Sequence, residues 1–468
     1  MTTDDTARPA RSARSARAGE RDLVPFGEAV RTWFAVSLQT FGGPAGQIAV
    51  MQRTLVDEKR WIGQQRFLHA LNYCMLLPGP EAQQLAIYTG WLLNGTRGGL
   101  VAGTLFVLPG VVALLALSVL YAAAGDTALV TGLFAGLAPA VLAVVVQAVL
   151  RVGKRALAHR ALLVPAVAAF VALAAFGAPF PLVLAGAAAF GWGLHRWAPH
   201  VLAGAGGSHG GAGAGGPAPV VADDALHSER PSTARALKVL AVGLVLWAVP
   251  VLAVALLTGA DSTLTQQGLF FSGTALVTFG GAYAVLAFVA QQAVERYQWL
   301  APGEMVRGLA LAETTPGPLI MVVQFVAFLG AYRAPGTLDP WVAAVLASLL
   351  TTWVTFVPCF VFIFLGAPHV ERLRANRALS AALSGITAAV VGVIANLALY
   401  FAVHTLFGAT TAWRAGPVDL EVPVLTSLRW TALATAAAAA VMVFALKWSV
   451  LRVLGACALL GLATTLLT

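Results

Sequence analysis

Two carboxylates sit in apolar sequence beside a repeated helix breaker. Glu81 directly follows Pro78-Gly79-Pro80, and Glu313 lies three residues before Pro316-Gly317-Pro318. An acid inside a membrane is costly to charge, and such groups mark ion paths and proton relays. Held away from water, a carboxyl group can keep its proton at neutral pH. The breaker offers complementary chemistry. Each proline lacks an N–H and clashes with the preceding turn, and glycine adopts conformations other residues avoid, so a helix stops and restarts. At the restart Pro80 or Pro318 suits the first helical position, and the N–H groups after it carry partial positive charge towards the break. Such an end accepts an oxyanion. Glu81 would have to be neutralised, or to leave, before an anion took the same helix end, which couples the anion to protons. The plainer readings are a helix-start carboxylate for Glu81 and a hydrogen-bonded structural acid for Glu313.

Neutral donors cluster near the same points: Gln47, Asn72, Gln83, Gln84, Tyr283, Thr314, Thr315 and Gln324. Each alone reads as a helix-to-helix hydrogen bond; as a set they suit an oxyanion better than a bare cation. Arg53, Arg66, His69 and Arg307 would draw anions towards the cavity, or snorkel to the interface. Cys74, Cys359 and Cys457 are isolated, with no metal-ligand spacing or paired framework, and read as apolar fillers. No cofactor and no metal is expected.

The elements that position these groups are announced by a repeat. Thr40-Phe41-Gly42-Gly43, Trp61 and Pro78-Gly79-Pro80 recur 238 positions later as Thr278-Phe279-Gly280-Gly281, Trp299 and Pro316-Gly317-Pro318. Matched helix breakers in two halves are the best sequence pointer to a transporter's binding site. Pro-Gly-Pro could merely kink packed helices, and Gly42, Gly43, Gly280 and Gly281 merely allow close contact. Two matched copies favour the site.

The chain has 468 residues, 59% hydrophobic and 10% charged, with mean hydropathy +0.81, outside the range of soluble domains. Runs at 100–122, 129–150, 239–257, 341–365 and 379–403 are long enough to cross a bilayer as helices. Barrel-like alternation is absent, so the fold class is an all-α polytopic membrane protein. Around the repeat, 26–51 is broken at Gly42-Gly43-Pro44 and 67–93 at Pro78-Gly79-Pro80. These segments together cross twice, or re-enter without crossing; the sequence leaves both open. The net charge of +9 invites a nucleic-acid reading, which is rejected because the basic residues lie in the N-terminal tail and short loops.

Loop charge sets direction. Arg97, Arg151, Lys154, Arg155, Arg160 and Arg196 mark cytoplasmic ends in the first half, while the 123–127 turn carries Asp126 alone. In the second half the cationic loop His369, Arg372, Arg374, Arg377 follows the equivalent span instead. An extra span at 239–257, with Arg235 and Lys238 at its cytoplasmic end, explains the change. The halves are expected to be inverted-topology repeats with discontinuous helices. The expected parts are a disordered basic cytoplasmic tail (1–25), a first membrane domain (26–200), a flexible Gly/Ala-rich linker (201–235) and a second membrane domain with the extra leading span (236–468).

Phe41-Gly42-Gly43-Pro44, Trp61, Leu76-Leu77-Pro78-Gly79-Pro80 with Gln84-Leu85-Ala86, Phe279-Gly280-Gly281 with Tyr283-Ala284-Val285-Leu286, and Thr315-Pro316-Gly317-Pro318 resemble the chromate ion transporter family in its long, two-domain form. The resemblance implies proton-driven efflux of chromate from the bacterial cytoplasm, conferring chromate resistance, with sulfate as structural competitor. The family's motif residues map onto the two Phe-Gly-Gly and two Pro-Gly-Pro sites. Ala282 stands where the first copy has Pro44, which specifies the second break less rigidly.

The resulting expectation is a multi-pass secondary transporter of a tetrahedral oxyanion in the bacterial plasma membrane, N-terminus cytoplasmic, with a homodimer allowed. Transport of sulfate or another anion is the alternative. A channel is a further rival. A membrane redox enzyme is less favoured, since no haem ligand pair, iron-sulfur spacing or nucleotide loop occurs.

Overall fold

The computed structural model describes residues 22–198, 219–221, 232–279, 281–367, 376–416 and 418–467. Gly280, most of the tail and linker, and His369, Arg372 and Arg374 lie outside these residues.

The first half opens with α1 (Phe26–Ser37) and α2 (Gly43–Gln52), the latter continued by a π-helical turn, Arg53–Glu58. Gly42 makes the break with φ 76°, and Pro44 falls in the first turn of α2, where its missing N–H costs nothing. Helix α3 (Gln64–Cys74) ends before Pro-Gly-Pro, and α4 (Glu81–Ala124) restarts after it. Within α4, Asn94 and Gly95 leave helical geometry, dividing a short arm from a long one. Helices α5 (Ala128–Ala156), α6 (Leu163–Phe176) and α7 (Phe180–Trp197) close the half.

After the extra span α8 (Thr233–Thr258), the second half repeats this order. It contains α9 (Thr263–Leu276), α10 (Ala282–Gln291) with the π turn Gln292–Arg296, and α11 (Glu304–Thr314). The 3₁₀ turn Leu319–Met321, α12 (Val322–Arg333), α13 (Pro340–Gly366) and α14 (Arg377–Leu406) follow. The end is α15 (Trp430–Ala440) and α16 (Val450–Leu467). Even the turn after each early π-helical segment recurs, with Arg60 (φ 51°) and Gln298 (φ 54°) at matching positions. One feature departs from the repeat and from the all-helical expectation. An antiparallel hairpin of β1 (Thr410–Ala415) and β2 (Val418–Pro423) follows α14.

The broken segments re-enter; they do not cross. A 12-residue helix such as α1 rises about 18 Å, well short of the hydrocarbon core, about 30 Å thick. The start of α1 meets the end of the short arm of α4: Leu23 N–H donates to Leu93 O at 2.9 Å, and Asn94 Nδ2 to Val24 O at 2.6 Å. Lys59, after α2 and its π turn, returns to Glu28 of α1 at 2.8 Å. Both first-half hairpins therefore enter and leave on one side. In the second half Arg333, at the end of α12, grips Glu304, at the start of α11, through contacts of 2.6 and 2.7 Å.

These two sets enter from opposite sides. The long arm of α4 starts beside the first mouth, at Asn94, and ends beside the second, where Tyr121 Oη donates to Glu304 Oε1 at 3.1 Å. Its counterpart α13 runs antiparallel to it, with Gly99 against Phe364 and Gly103 against Phe360. A two-fold along the membrane normal leaves equivalent helices parallel, so the axis relating the halves lies in the membrane plane. The halves also exchange their last helices. Gly136 of α5 lies against Cys457 and Gly461 of α16, and Gly385 of α14 against Ala187 and Gly191 of α7, small residues allowing backbones to touch.

Among the described residues six helices have the length and apolarity of membrane spans. Part of the linker departs from the flexible expectation. Val220 and Val221 donate to Arg60 O and Trp61 O at 3.1 and 2.9 Å, and Gly63 donates to Val221 O at 3.0 Å. Residues 219–221 are thus held against the loop between α2 and α3 because that loop offers unpaired backbone groups.

Candidate functional site

The tips of the opposed hairpins meet through reciprocal backbone bonds. Gly79 N–H donates to Thr278 O at 2.8 Å, and Gly317 N–H donates to Thr40 O at 2.9 Å. Gly79 matches Gly317 and Thr40 matches Thr278, so each Pro-Gly-Pro is tied to the Thr-Phe-Gly-Gly of the other half, the self-complementary contact a two-fold imposes. Positive φ makes this geometry available: +121° at Gly79 and +113° at Gly317. Each glycine is also covered by the opposite half. A Cβ on Gly79 would lie 2.8 Å from Cys359 Sγ of α13, and one on Gly317 would lie 3.2 Å from Gly110 Cα of α4. Pro78, Gly79, Pro80, Gly42, Gly43, Gly281, Pro316, Gly317 and Pro318 are thereby gathered at one junction; Gly280 lies outside the described residues. Phe41, Pro44 and Phe279 border it and are half-buried.

Neither restart carries a side-chain cap: Pro80 and Pro318 are the N-cap residues. The first restart is α-helical from Glu81, whereas the second begins with the 3₁₀ turn. Glu81 is the first residue of its helix, directly after Pro80. It also faces the other half, since a Cβ on Gly281 would lie 3.5 Å from Glu81 Oε1. Glu313 is 1% exposed and takes a short hydrogen bond from the Tyr283 hydroxyl, while its Oε2 has no protein partner. Tyr283 Oη in turn would be 3.8 Å from a Cβ on Gly43. The two acids, inequivalent in sequence, therefore flank the junction on opposite Phe-Gly-Gly loops.

The neutral side chains divide. Gln47 Nε2 donates to Gly317 O and Gln84 Nε2 to Pro78 O, both at 2.6 Å, so these amides hold the breaks and present their oxygens. Gln84 Oε1 and both amide atoms of Gln83 are buried without a protein partner. Thr314 and Thr315 donate back to their own helix, to Leu311 O and Ala312 O at 2.9 and 3.1 Å. Gln324 donates to Val111 O on the long arm of α4 at 3.1 Å, and Asn72 is exposed.

The cations read as anion attractors lie at the mouths. Arg53 pairs with Glu58 at 3.5 Å and donates to Gln39 at 2.9 Å; Arg307, at the second mouth, donates to Tyr121 Oη at 3.0 Å. Sequence reasoning missed two others. Arg151 interacts electrostatically with Glu313 and Tyr283, and Arg155 with Glu81, from the end of α5. Loop charge marked them as topology signals, and nothing in their spacing links them to the acids. Among the described residues no group of three His, Cys, Asp or Glu could hold a metal ion.

Comparison with known proteins identifies relatives of this chain. The chromate transporter family matches residues 27–192 and 265–462, so the match covers both halves. The chain is 31% identical to the chromate transport protein of Pseudomonas aeruginosa over 435 residues, covering 91% of this chain and 90% of that protein. It is 26% identical to the chromate transport protein of Cupriavidus metallidurans over 375 residues, covering 80% and 81%. No solved structure gives a significant match. These relatives are transport proteins, not enzymes, and the chain, a multi-pass membrane protein with two opposed re-entrant halves, belongs to the chromate transporter family.

Proposed function

We propose that the protein exports chromate from the cytoplasm, coupled to protons, through the junction of the opposed hairpins. The observation that carries this reading is the reciprocal pair of Pro-Gly-Pro bonds flanked by Glu81 and Glu313. Two uncapped helix ends there suit a tetrahedral dianion. Phe41, Gly42, Gly43, Pro44, Gln47, Pro78, Gly79, Pro80 and Gln84 form one wall. Phe279, Gly281, Tyr283, Thr315, Pro316, Gly317 and Pro318 form the other. Glu81 blocks its own helix end while charged, so one proton and the dianion occupy the site together, and the inside-negative membrane potential drives their net negative charge out. The mouth bearing Arg97, Arg151 and Arg155 faces the cytoplasm by the positive-inside rule, which puts the N-terminus inside a bacterial plasma membrane. Sulfate shares chromate's shape and charge and would compete for the same ends. A homodimer is compatible with this reading, as each chain already contains both halves.

The test is uptake of chromate into inside-out vesicles with and without a proton gradient, sulfate serving as competitor. Saturable uptake, stimulated by the interior-positive potential of the energised vesicles, is expected. No uptake under any gradient would sink the assignment.

A further inference from the structure

On the side opposite the Arg97 mouth, the start of α5, the start of α11, the end of α14 and the β-hairpin enclose a cavity of about 550 Å³. Arg307, His404 and Arg429 line it, together with the hydroxyl residues Thr131 and Thr431. The carboxylate at its wall is Glu421 of β2, which already faces His404 Nε2 at 3.4 Å. Glu304, one turn before Arg307, is answered by the two-pronged contact from Arg333. Among the described residues neither Arg307 nor Arg429 has a carboxylate partner, so the cavity holds an excess of positive charge. Arg307 is also steadied, through its bond to Tyr121 and its place over the Phe134 ring at 5.9 Å.

The cavity leads to the junction. Arg307 and Glu313 lie on the same helix, α11, separated by about 9 Å of helical rise. The pseudo-two-fold gives an independent comparison. The contacts of Gly136 and Gly385 set α5 and α14 in a register 249 positions apart, which places His404 at the position of Arg155. Position for position, both mouths carry a basic side chain beside the route to the acids.

We infer that this cavity is a second oxyanion site, where the anion pauses on the far side of the junction. Arg307 and Arg429 supply its charge partners, and the β-hairpin, held through His404 and Glu421, is its cover. The inference rests on the proposed oxyanion transport, and its test separates the two. Full-length protein is purified, and equilibrium binding of radiolabelled chromate is measured beside chromate counterflow in oriented proteoliposomes. Wild type is expected to bind two chromates per chain. R307Q and R429Q are expected to lose one of them and to raise the far-side half-saturating concentration at least about fivefold, while R307K retains both properties. Unchanged stoichiometry and half-saturation in both Gln variants, with counterflow intact, would overturn the second site and leave the transport reading standing. Loss of one bound chromate in the variants of a protein without counterflow would support the site and overturn the transport reading. Arg429 is exposed, so R429Q keeps the test decisive where R307Q fails to fold.

Discussion

Gly79 and Gly317 combine two demands that glycine alone meets together: a positive φ and neighbouring atoms, Cys359 Sγ for Gly79 and the Gly110 backbone for Gly317, where a Cβ would sit. An L side chain held left-handed costs about 1–2 kcal/mol before any clash. Gly79→Ala is therefore expected to cut chromate transport at least about tenfold while the protein still reaches the membrane, and Pro78→Ala should act in the same direction. Transport at the wild-type rate by either would reduce the break to a kink. Glu81 carries the pH prediction. If its charge competes with the anion, wild-type transport falls as pH rises and the carboxylate ionises, whereas Glu81→Gln flattens that dependence with little change in protein abundance. A pH–rate profile in vesicles decides, and superimposable profiles would remove Glu81 from coupling. The residues at the breaks were legible because glycine and proline act locally. The roles of Gln47 and Gln84 were less so: their amides are spent on Gly317 O and Pro78 O, partners that sequence proximity reveals for Gln84 alone. Arg151 and Arg155 were illegible, since they approach the acids only through packing of α5.

At the scale of elements, the hairpin α11–α12 is closed at its mouth by Glu304 and Arg333. The Glu304 side chain is 9% exposed against 43% for Arg333. Removing the arginine leaves the buried carboxylate with only Tyr121 and the Ala301 N–H, a loss of about 1–3 kcal/mol for hydrogen bonds to a charged group. Arg333→Gln is expected to lower the thermal midpoint of the purified protein clearly, and Glu304→Gln,Arg333→Gln together less than Arg333→Gln alone; equal midpoints for wild type and Arg333→Gln would refute the clamp. The helix ends themselves were readable from Pro, Gly and apolar length. Whether a broken segment spans or returns was not, because the deciding contacts, Leu93 to Leu23 and Lys59 to Glu28, join residues far apart in the chain. The β-hairpin was missed for another reason. All six residues of β1 are exposed, so no inward-facing period of two marks the strand.

For the whole molecule, loop charge and the extra span α8 predicted opposed halves, and the antiparallel packing of α4 on α13 agrees. Neither half completes the junction alone, since the Pro-Gly-Pro of each donates its hydrogen bond to the other. Separate chains covering 1–210 and 211–468 are expected to restore chromate export when made together and to give none when made singly. Export by one chain alone would contradict the shared junction. The exchange of last helices was invisible in the sequence, because Gly136 and Gly461 sit among many small residues and nothing marks them as a pair.

That exchange bears on how the protein is made. The face of α5 around Gly136 is bare while α8 to α15 are synthesised, since its cover, α16, follows them in the chain. The first half therefore waits in the bilayer with an open backbone groove, exposed to wrong partners and membrane proteases until α16 has been made. A stall before Val450 should yield a short-lived product, although every residue of the junction has already been synthesised.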